Sequence, residues 1–333
     1  MDSKKYVLVT GGTGFIGAHQ CNEFVKNGYH VVAFSRSGNS INKEFNENVN
    51  NKLIEIVKGD VKTFNFESLQ YDFEYIIHIA GKVSAYGKLK DFMEINYDGT
   101  QKLLNYAKNH NVQCFTYFSS TAVYGYDGYK NISEDYEKKP FKNPYSISKL
   151  ATENLVKEFC SENALDYVII RPGNVYGEYD YTSSHEIFTR IKNKKMLICA
   201  KGKYESCFIY VKNLVNASFV ATTTKSSHNT DYNVTDGNRE TLNQMFSLIA
   251  NTFNVKPKFK NFPSFMSKII ATLVEGFYYT FHIKKAPLIT KFSVYQNCND
   301  YSFSIDKIKS IGYKPLYTME QGVKNTCDWI NSL

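Results

Sequence analysis

The feature that most constrains the fold of this chain is a glycine-rich turn between a short apolar strand, Tyr6–Thr10, and a helix. The glycines permit a tight turn, a close approach of the backbone to a ligand and close packing of the helix on a sheet. The first N–H groups of that helix and its dipole favour phosphate groups. The turn therefore predicts a dinucleotide site, which we assign to Gly11, Thr13, Gly14, Phe15, Ile16 and Gly17.

Short apolar segments alternate with helical patterns along the first half of the chain. We predict strands over 6–10, 30–35, 53–58, 75–79, 114–119, 167–171 and 231–234. We predict helices over 91–110 and 144–163, and an exposed loop over 37–51. The pattern indicates an α/β protein: a Rossmann-type, doubly wound parallel sheet with a smaller C-terminal substrate lobe. We expect a dinucleotide-binding domain over 1–175 and mainly a substrate-binding lobe over 176–333, with later segments returning to the sheet.

The composition is that of an ordinary globular protein, with 43% hydrophobic and 22% charged residues. The formal net charge is +8, and the lysines are scattered, which favours a solvated surface and an anionic cofactor over nucleic-acid binding. The first apolar run is strand-like, so we expect no signal peptide and a cytoplasmic location. The seven cysteines lack metal-binding spacing, and we expect reduced core thiols and no metal site.

Residues after three further predicted strands are assigned to the cofactor by their position along the sheet. The second strand ends in Ser35-Arg36-Ser37, without the acidic residue that would bind the ribose of NAD. A guanidinium can hold a 2′-phosphate, so Arg36 favours NADP, and NAD remains the alternative. The other assigned residues are Asp60 and Val61 beside the expected adenine, and Ala80, Gly81 and Lys82 beside the expected nicotinamide ribose.

A tyrosine and a lysine one helical turn apart predict a proton-transfer site. The spacing Tyr-x-x-x-Lys occurs three times, but only Tyr145 and Lys149 follow a helix start, Asn143-Pro144. The helix places both side chains on one face. We expect the lysine charge to lower the tyrosine pKa, so that the phenol can exchange a proton with an alcohol oxygen. The segment 119–121, Ser-Ser-Thr, supplies a hydroxyl that can bind the same oxygen.

With these motifs in place, the chain resembles an extended short-chain dehydrogenase/reductase of the NAD-dependent epimerase/dehydratase superfamily. The segments that carry the resemblance are Thr10–Gly17, Ser119–Gly125, Tyr145–Lys149 and Arg171–Gly177. The resemblance implies hydride transfer between a nicotinamide and a carbon that bears oxygen. It also implies a catalytic trio of Ser120, Tyr145 and Lys149, and cofactor contacts from Tyr145, Lys149 and Pro172.

The second half of the chain is similar to the 3β-hydroxysteroid dehydrogenase-like branch, which includes dihydroflavonol reductase-like proteins. The similar segments are 78–84, 208–213, 232–237 and the ending from 304. Nucleotide-sugar enzymes of the family usually carry an arginine at the position of Ser206 and an acid at that of Asn213. The resemblance therefore implies a small, apolar sterol-like or ketone-like substrate near Ser84, Asn174 and Tyr176. The alternatives are a nucleotide-sugar epimerase or dehydratase with retained NAD, and a cofactor-binding regulator without turnover.

Residues 265–283 form an apolar segment with helical spacing, interrupted by Lys268 and Glu275. These charges disfavour a helix that spans a membrane. Three interpretations remain open: a helix that lies on a membrane surface, a lid over an apolar pocket, and an ordinary amphipathic core helix. The family resemblance also implies a possible homodimer, formed through helices that include the one with Tyr145 and Lys149.

Overall fold

Seven apolar segments form one parallel sheet at the centre of the protein. The computed structural model describes residues 5–333. The strands are β1 (Tyr6–Thr10), β2 (His30–Ser35), β3 (Ile54–Lys58), β4 (Phe73–His78), β5 (Cys114–Phe118), β6 (Tyr129–Ile132), β7 (Tyr167–Pro172), β8 (Asn174–Tyr176), β9 (Leu197–Cys199), β10 (Phe208–Tyr210), β11 (Thr230–Val234), β12 (Lys260–Phe262) and β13 (Tyr301–Phe303). The order in the large sheet is β11-β7-β5-β4-β1-β2-β3, with every pair parallel, which confirms the predicted fold class.

Helices cover both faces of this sheet. They are α1 (Phe15–Lys26), α2 (Lys43–Asn50), α3 (Leu89–Phe92), α4 (Gly99–Asn109), α5 (Pro144–Glu162), α6 (Ser184–Lys192), α7 (Val211–Thr223), α8 (Leu242–Thr252), α9 (Ser264–Thr280), α10 (Lys291–Asn297), α11 (Asp306–Ser310) and α12 (Met319–Asn331). Neighbouring residues of a strand point to opposite faces. Val7 and Val9 therefore join a buried cluster with α1 and α7, and Leu8 joins another with α4 and α5.

Smaller sheets and a third core lie in the C-terminal region. Three two-stranded parallel sheets pair β8 with β10, β9 with β12, and β6 with β13. A separate cluster of buried side chains joins α6, α8 and α12. The chain nevertheless returns to the large sheet, because β11 pairs with β7 at its edge. The C-terminal region thus contributes both to the large sheet and to a core of its own.

One sequence prediction of local structure is wrong, and another is confirmed with an added detail. The segment predicted as an exposed loop over 37–51 contains α2, which is capped by Asn42 and anchored by the buried side chain of Phe45. The helix predicted over 91–110 is confirmed: the chain is helical from the start of α3 to the end of α4, with a π-helical segment, Met93–Asp98, between them. The spacing of apolar residues does not predict a π-helical turn, because such a turn changes the hydrogen-bond pattern and not the residue types.

The prediction of reduced cysteines is wrong for one pair. Cys199 and Cys298 form a disulfide, although 99 residues separate them in the chain. The remaining cysteines are free and buried, as predicted. The pair meets because β9 and the residue after α10 pack together, a contact that sequence spacing does not encode.

Candidate active site

A cavity of about 1490 Å³ runs along the carboxyl ends of the sheet strands. This edge is where open parallel sheets bind ligands. Every residue assigned from sequence to the cofactor or to catalysis lines this one cavity: Gly11, Thr13, Gly14, Phe15, Ile16, Gly17, Arg36, Asp60, Val61, Ala80, Gly81, Lys82, Ser120, Tyr145, Lys149 and Pro172. Folding therefore brings together segments that lie up to 161 residues apart in the chain, between Gly11 and Pro172.

The glycine turn lies where the strand order reverses, between β1 and its neighbours β2 and β4. Gly11 has a φ of +71°, and a Cβ there would come within 3.1 Å of the backbone nitrogen of Ala80. Gly14 precedes the first residue of α1 and has no side chain to cap it. The N–H groups of the first turn of α1 thus face the cavity side of the turn without a capping group. This cradle fits a pyrophosphate.

Hydroxyl groups connect the glycine turn to the end of β2. The Thr13 hydroxyl donates to Ser35 Oγ at 2.5 Å and lies 3.0 Å from Ser37 Oγ. Arg36 stands between these two serines with an exposed side chain and lines the cavity. After β3, the carboxylate of Asp60 accepts from the backbone N–H of Lys62 at 2.9 Å, which fixes the turn at that end of the cavity.

Lys149 reaches the cavity from α5. The helix starts as predicted, with Pro144 in its first turn and the Asn143 side chain accepting from Ser146 N at 3.0 Å. The Lys149 ammonium donates to the carbonyl oxygen of Phe118 at 2.7 Å, at the end of β5. Burial lowers the pKa of Lys149 to about 8. The hydrogen bond to Phe118 holds the ammonium at a fixed place on the cavity wall.

Tyr145 and Ser120 meet on the same wall. Burial raises the pKa of Tyr145, and a side-chain hydrogen bond with Ser120 opposes that shift. The expectation that Lys149 lowers the pKa of Tyr145 is not what the structure shows, because desolvation dominates and the opposing contact comes from Ser120. Ser120 Oγ also accepts from Ala122 N at 3.1 Å, which orients the hydroxyl. The edge of the Phe292 ring packs on the Tyr145 ring, with 6.3 Å between centroids.

A family model described as the NAD dependent epimerase/dehydratase family matches residues 7–235, more than half of the chain. The chain belongs to this family. The protein therefore belongs to a family of enzymes that use an NAD(P) cofactor. The cradle at the glycine turn fits the pyrophosphate of that cofactor. The family-level resemblance seen in the sequence is confirmed.

Several relatives that align with nearly the whole chain are named as epimerases or dehydratases of nucleotide sugars. A putative UDP-glucose 4-epimerase of Methanocaldococcus jannaschii is 25% identical over 98% of both chains. A dTDP-D-glucose 4,6-dehydratase of Mus musculus is 27% identical over 98% of this chain and 88% of its own. A UDP-N-acetylglucosamine 4-epimerase structure from Methanobrevibacter ruminantium M1, in complex with UDP-N-acetylmuramic acid, has a TM-score of 0.80 at 25% identity and covers 99% of both chains. These names do not support the hydroxysteroid dehydrogenase-like branch.

Asn96 is not predicted from the sequence, and the π-helical segment places it beside α5. Its Oδ1 accepts from Lys82 N at 2.6 Å, and its Nδ2 donates to Ser148 Oγ at 2.9 Å. A Cβ on Gly81 would come within 3.1 Å of Asn96 Oδ1 and 3.6 Å of Lys149 Nζ. Asn96 thus ties the segment after β4 to α5, and only the folded chain reveals it.

The expected substrate residues are only partly on the cavity wall. Asn174 and Tyr176 line it, whereas Ser84 does not and donates instead to the Tyr86 carbonyl oxygen at 2.9 Å. The helix α10 is not among the predicted elements; its Gln296 lines the cavity and donates to Asn174 Oδ1 at 2.8 Å. No motif marks Gln296, because its place depends on how α10 packs.

The two ends of the cavity differ in charge. The basic side chains on its wall are Arg36, Lys82 and Lys149, all in the half next to the glycine turn. Among the lining residues from Asn174 to Asn297 there is no lysine, arginine or histidine. That half is lined by aromatic and aliphatic side chains and by uncharged polar ones, with the carboxylate of Asp180 as the exception.

Proposed function

We propose that the protein transfers a hydride between the nicotinamide of NAD(P) and a substrate carbon that bears oxygen, with Tyr145 as the acid and base. The observation that carries this proposal is that Tyr145, Ser120 and Lys149 line one cavity together with the glycine turn. When bound, the cofactor accepts the hydride in oxidation and returns it in reduction. The sequence motifs and the family both support this chemistry.

Each of the three side chains has a distinct part in this reaction. In reduction, the Tyr145 phenol gives its proton to the substrate oxygen as the carbon gains a hydride. In oxidation, the phenolate takes that proton back. The Ser120 hydroxyl donates a hydrogen bond to the oxygen as negative charge develops there. The Lys149 ammonium, whose pKa is about 8, is mostly charged at neutral pH and stabilises negative charge nearby.

A nucleotide sugar is the first candidate substrate. The supporting observation is that relatives aligned over nearly the whole chain are named as nucleotide-sugar epimerases and dehydratases. With such a substrate, Tyr145 would take the proton of the sugar hydroxyl, and the cofactor would supply the site that accepts the hydride and gives it back to the sugar. The cofactor would therefore be retained through one turnover.

An apolar alcohol or ketone is the second candidate, favoured by the charge of the cavity wall. A nucleoside diphosphate brings two phosphate charges that need cationic partners when they are desolvated. The half of the cavity far from the glycine turn has none on its wall. The usual arginine position holds Ser206 instead, whose buried hydroxyl lies 2.8 Å from the Tyr301 hydroxyl. Asn213 donates to Asp236 at 2.8 Å and is occupied within the fold.

The form of the cofactor is a separate choice. Arg36, at the end of β2 between two serines, supports NADP. Solved relatives that contain a cofactor name NAD, including a UDP-glucuronic acid 4-epimerase from Bacillus cereus with 20% identity and a TM-score of 0.79. Fluorescence titration of the purified protein with NADH and with NADPH separates the two, and tighter binding of NADH would overturn the NADP assignment.

Turnover assays of wild-type protein and Tyr145→Phe test the reaction. UDP- and dTDP-sugars form one substrate panel, and hydroxysteroids with apolar ketones form the other. We expect Tyr145→Phe to lower kcat by about 10²–10⁴-fold, because the acid and base is lost, with cofactor binding retained.

Tyr126→Phe is the matched control for that experiment. Tyr126 also lines the cavity and is also followed by a lysine four residues later, but it does not belong to α5. We expect this variant to keep turnover within a few-fold of wild type. Full activity of Tyr145→Phe would remove the proposed mechanism, and the panel that is turned over identifies the substrate class.

A further inference from the structure

The helix α9 exposes its large apolar side chains and buries small ones. A helix on the surface of a globular protein normally buries its large apolar side chains and exposes its polar ones. In α9 the buried side chains are the small ones of Ser267 and Ala271, which face Cys199 and Cys298. The interpretation of this segment as an ordinary core helix is therefore wrong.

The large apolar side chains of this segment form an exposed stripe. Phe265, Ile269, Leu273, Phe277 and Phe281 recur every four residues, and their exposed fractions are 66%, 55%, 68%, 54% and 64%. Residues four apart lie above one another on a helix, so the stripe is continuous and roughly 24 Å long. A contiguous apolar patch of this kind marks a surface that binds a partner or a membrane.

Positive charges flank the stripe at both ends. Residues 256–290 contain six lysines and one acidic residue, Glu275. Three of the lysines (256, 258 and 260) precede α9 and two (284 and 285) follow it, and all five are exposed. Glu275 faces inward and accepts from Lys291 N at 2.7 Å. The apolar stripe is thus bordered by uncompensated positive charge.

The helix α9 is attached to two walls of the cavity. It packs along α10, which contributes Phe292 and Gln296 to the wall. At the C-terminal end of α9, the ring centroids of Tyr279 and Tyr86 lie 4.6 Å apart. Tyr86 stands three residues after Val83, which lines the cavity. A surface bound to α9 would therefore lie beside the substrate half of the cavity.

We propose that the protein docks on an anionic lipid bilayer through α9, with the helix lying in the plane of the membrane surface. The stripe enters the boundary between headgroups and acyl chains, and the flanking lysines bind anionic headgroups. Among residues 5–333, no helix is long and apolar enough to cross a bilayer, so the contact is peripheral. A second copy of the chain fits less well, because an antiparallel pair of stripes would set lysines against lysines.

Vesicle co-sedimentation of the full-length protein tests this docking. Two kinds of vesicle are used: phosphatidylcholine alone, and phosphatidylcholine with about 30% phosphatidylserine. We expect binding to the anionic vesicles that weakens when NaCl rises from about 0.1 M to about 0.5 M. We expect Leu273→Glu to lower the partition coefficient by about tenfold or more, since a charge replaces the centre of the stripe.

Leu316→Ser is the matched control, because Leu316 is 52% exposed and lies outside α9. It should bind vesicles as wild type does, and thermal melts should show all three proteins folded. Three results would overturn the proposal: wild type that stays in the supernatant with anionic vesicles, Leu273→Glu that binds as well as wild type, or a wild-type dimer in sedimentation velocity that Leu273→Glu dissociates while neither binds lipid.

Discussion

Lys149 carries a positive charge in a buried position, and this placement has a cost in stability. Its ammonium makes one hydrogen bond, to the carbonyl oxygen of Phe118, and burial lowers its pKa from 10.5 to about 8. A lowered lysine pKa means that the folded state holds the proton less tightly than the unfolded state. The residue is therefore kept at the expense of stability, which is typical of functional sites.

Replacing this lysine by methionine should stabilise the fold at neutral pH. Below pH 8 the lysine is protonated in both states, so the folded state bears the full desolvation cost. Lys149→Met removes that cost and loses one hydrogen bond, for a net gain of about 2 kcal/mol in the free energy of unfolding. The unfolded wild type still binds the proton between pH 8 and 10.5, so wild-type stability rises there and the gain shrinks.

Urea denaturation at several pH values between 7 and 10.5 measures this effect. Lys108→Met is the control, since Lys108 is an exposed lysine on α4, and we expect its effect to be small and independent of pH. A Lys149→Met protein that is less stable than wild type at pH 7, or equally shifted at every pH, would contradict the account of the buried charge.

The disulfide between Cys199 and Cys298 joins two elements of the C-terminal region. It connects the end of β9 to the residue after α10, and both of these elements contribute side chains to the cavity wall. On the opposite side the same sulfur atoms pack under Ala271 of α9. One covalent bond thus holds together the cavity wall and the helix that we propose to dock on lipid.

Removing this disulfide should destabilise the protein. It closes a loop of 99 residues, for which the chain-entropy model gives a loss of about 4.7 kcal/mol on reduction. Measured losses for native disulfides are about 2–5 kcal/mol, and we expect a loss in that range. Thermal melts with and without dithiothreitol measure it, and the Cys199→Ser/Cys298→Ser double variant should no longer respond to the reductant. Thiol titration in denaturant should find five free thiols among seven cysteines; seven would show that the bond does not form.

A buried ion cluster connects distant parts of the whole molecule. Arg171 on β7 donates to both carboxylate oxygens of Glu153 on α5, at 2.9 and 2.8 Å, and also pairs with Asp231 on β11. Arg171 and Glu153 are almost fully buried. The cluster therefore joins α5, the strand β7 next to the edge of the large sheet, and the edge strand β11 that returns from the C-terminal region.

Removing one member of this cluster should destabilise the entire fold. Glu153→Ala leaves a buried guanidinium without its bidentate partner, and we expect a loss of about 3–5 kcal/mol in the free energy of unfolding. Asp328→Ala, which breaks the exposed pair with Lys324, should cost less than about 1 kcal/mol. Urea denaturation of both variants decides the matter, and a Glu153→Ala loss no larger than the control would refute the structural role of the cluster.

Much of the fold could be predicted because the sheet is built from local patterns. Apolar runs bounded by glycine and polar residues gave the seven strands of the large sheet within one to two residues at each end. The cofactor and catalytic assignments follow strand ends, and parallel strands bring their carboxyl ends to one edge. This is why Gly11, Asp60 and Ala80, which follow three different strands, are predicted at one site. Pro172 is assigned through the family resemblance.

By itself, the sequence determined the α/β class and the placement of Tyr145 and Lys149 on one face of a capped helix, because both depend on local spacing or on turn chemistry. Its motifs also carried the resemblance to the family, which the family model confirms. Only the tertiary structure decided the Cys199–Cys298 bond, the place of Asn96, the absence of basic side chains from the far wall of the cavity and the outward-facing stripe of α9. These features arise from contacts between segments far apart in the chain. The local spacing of residue types does not predict which segments pack together.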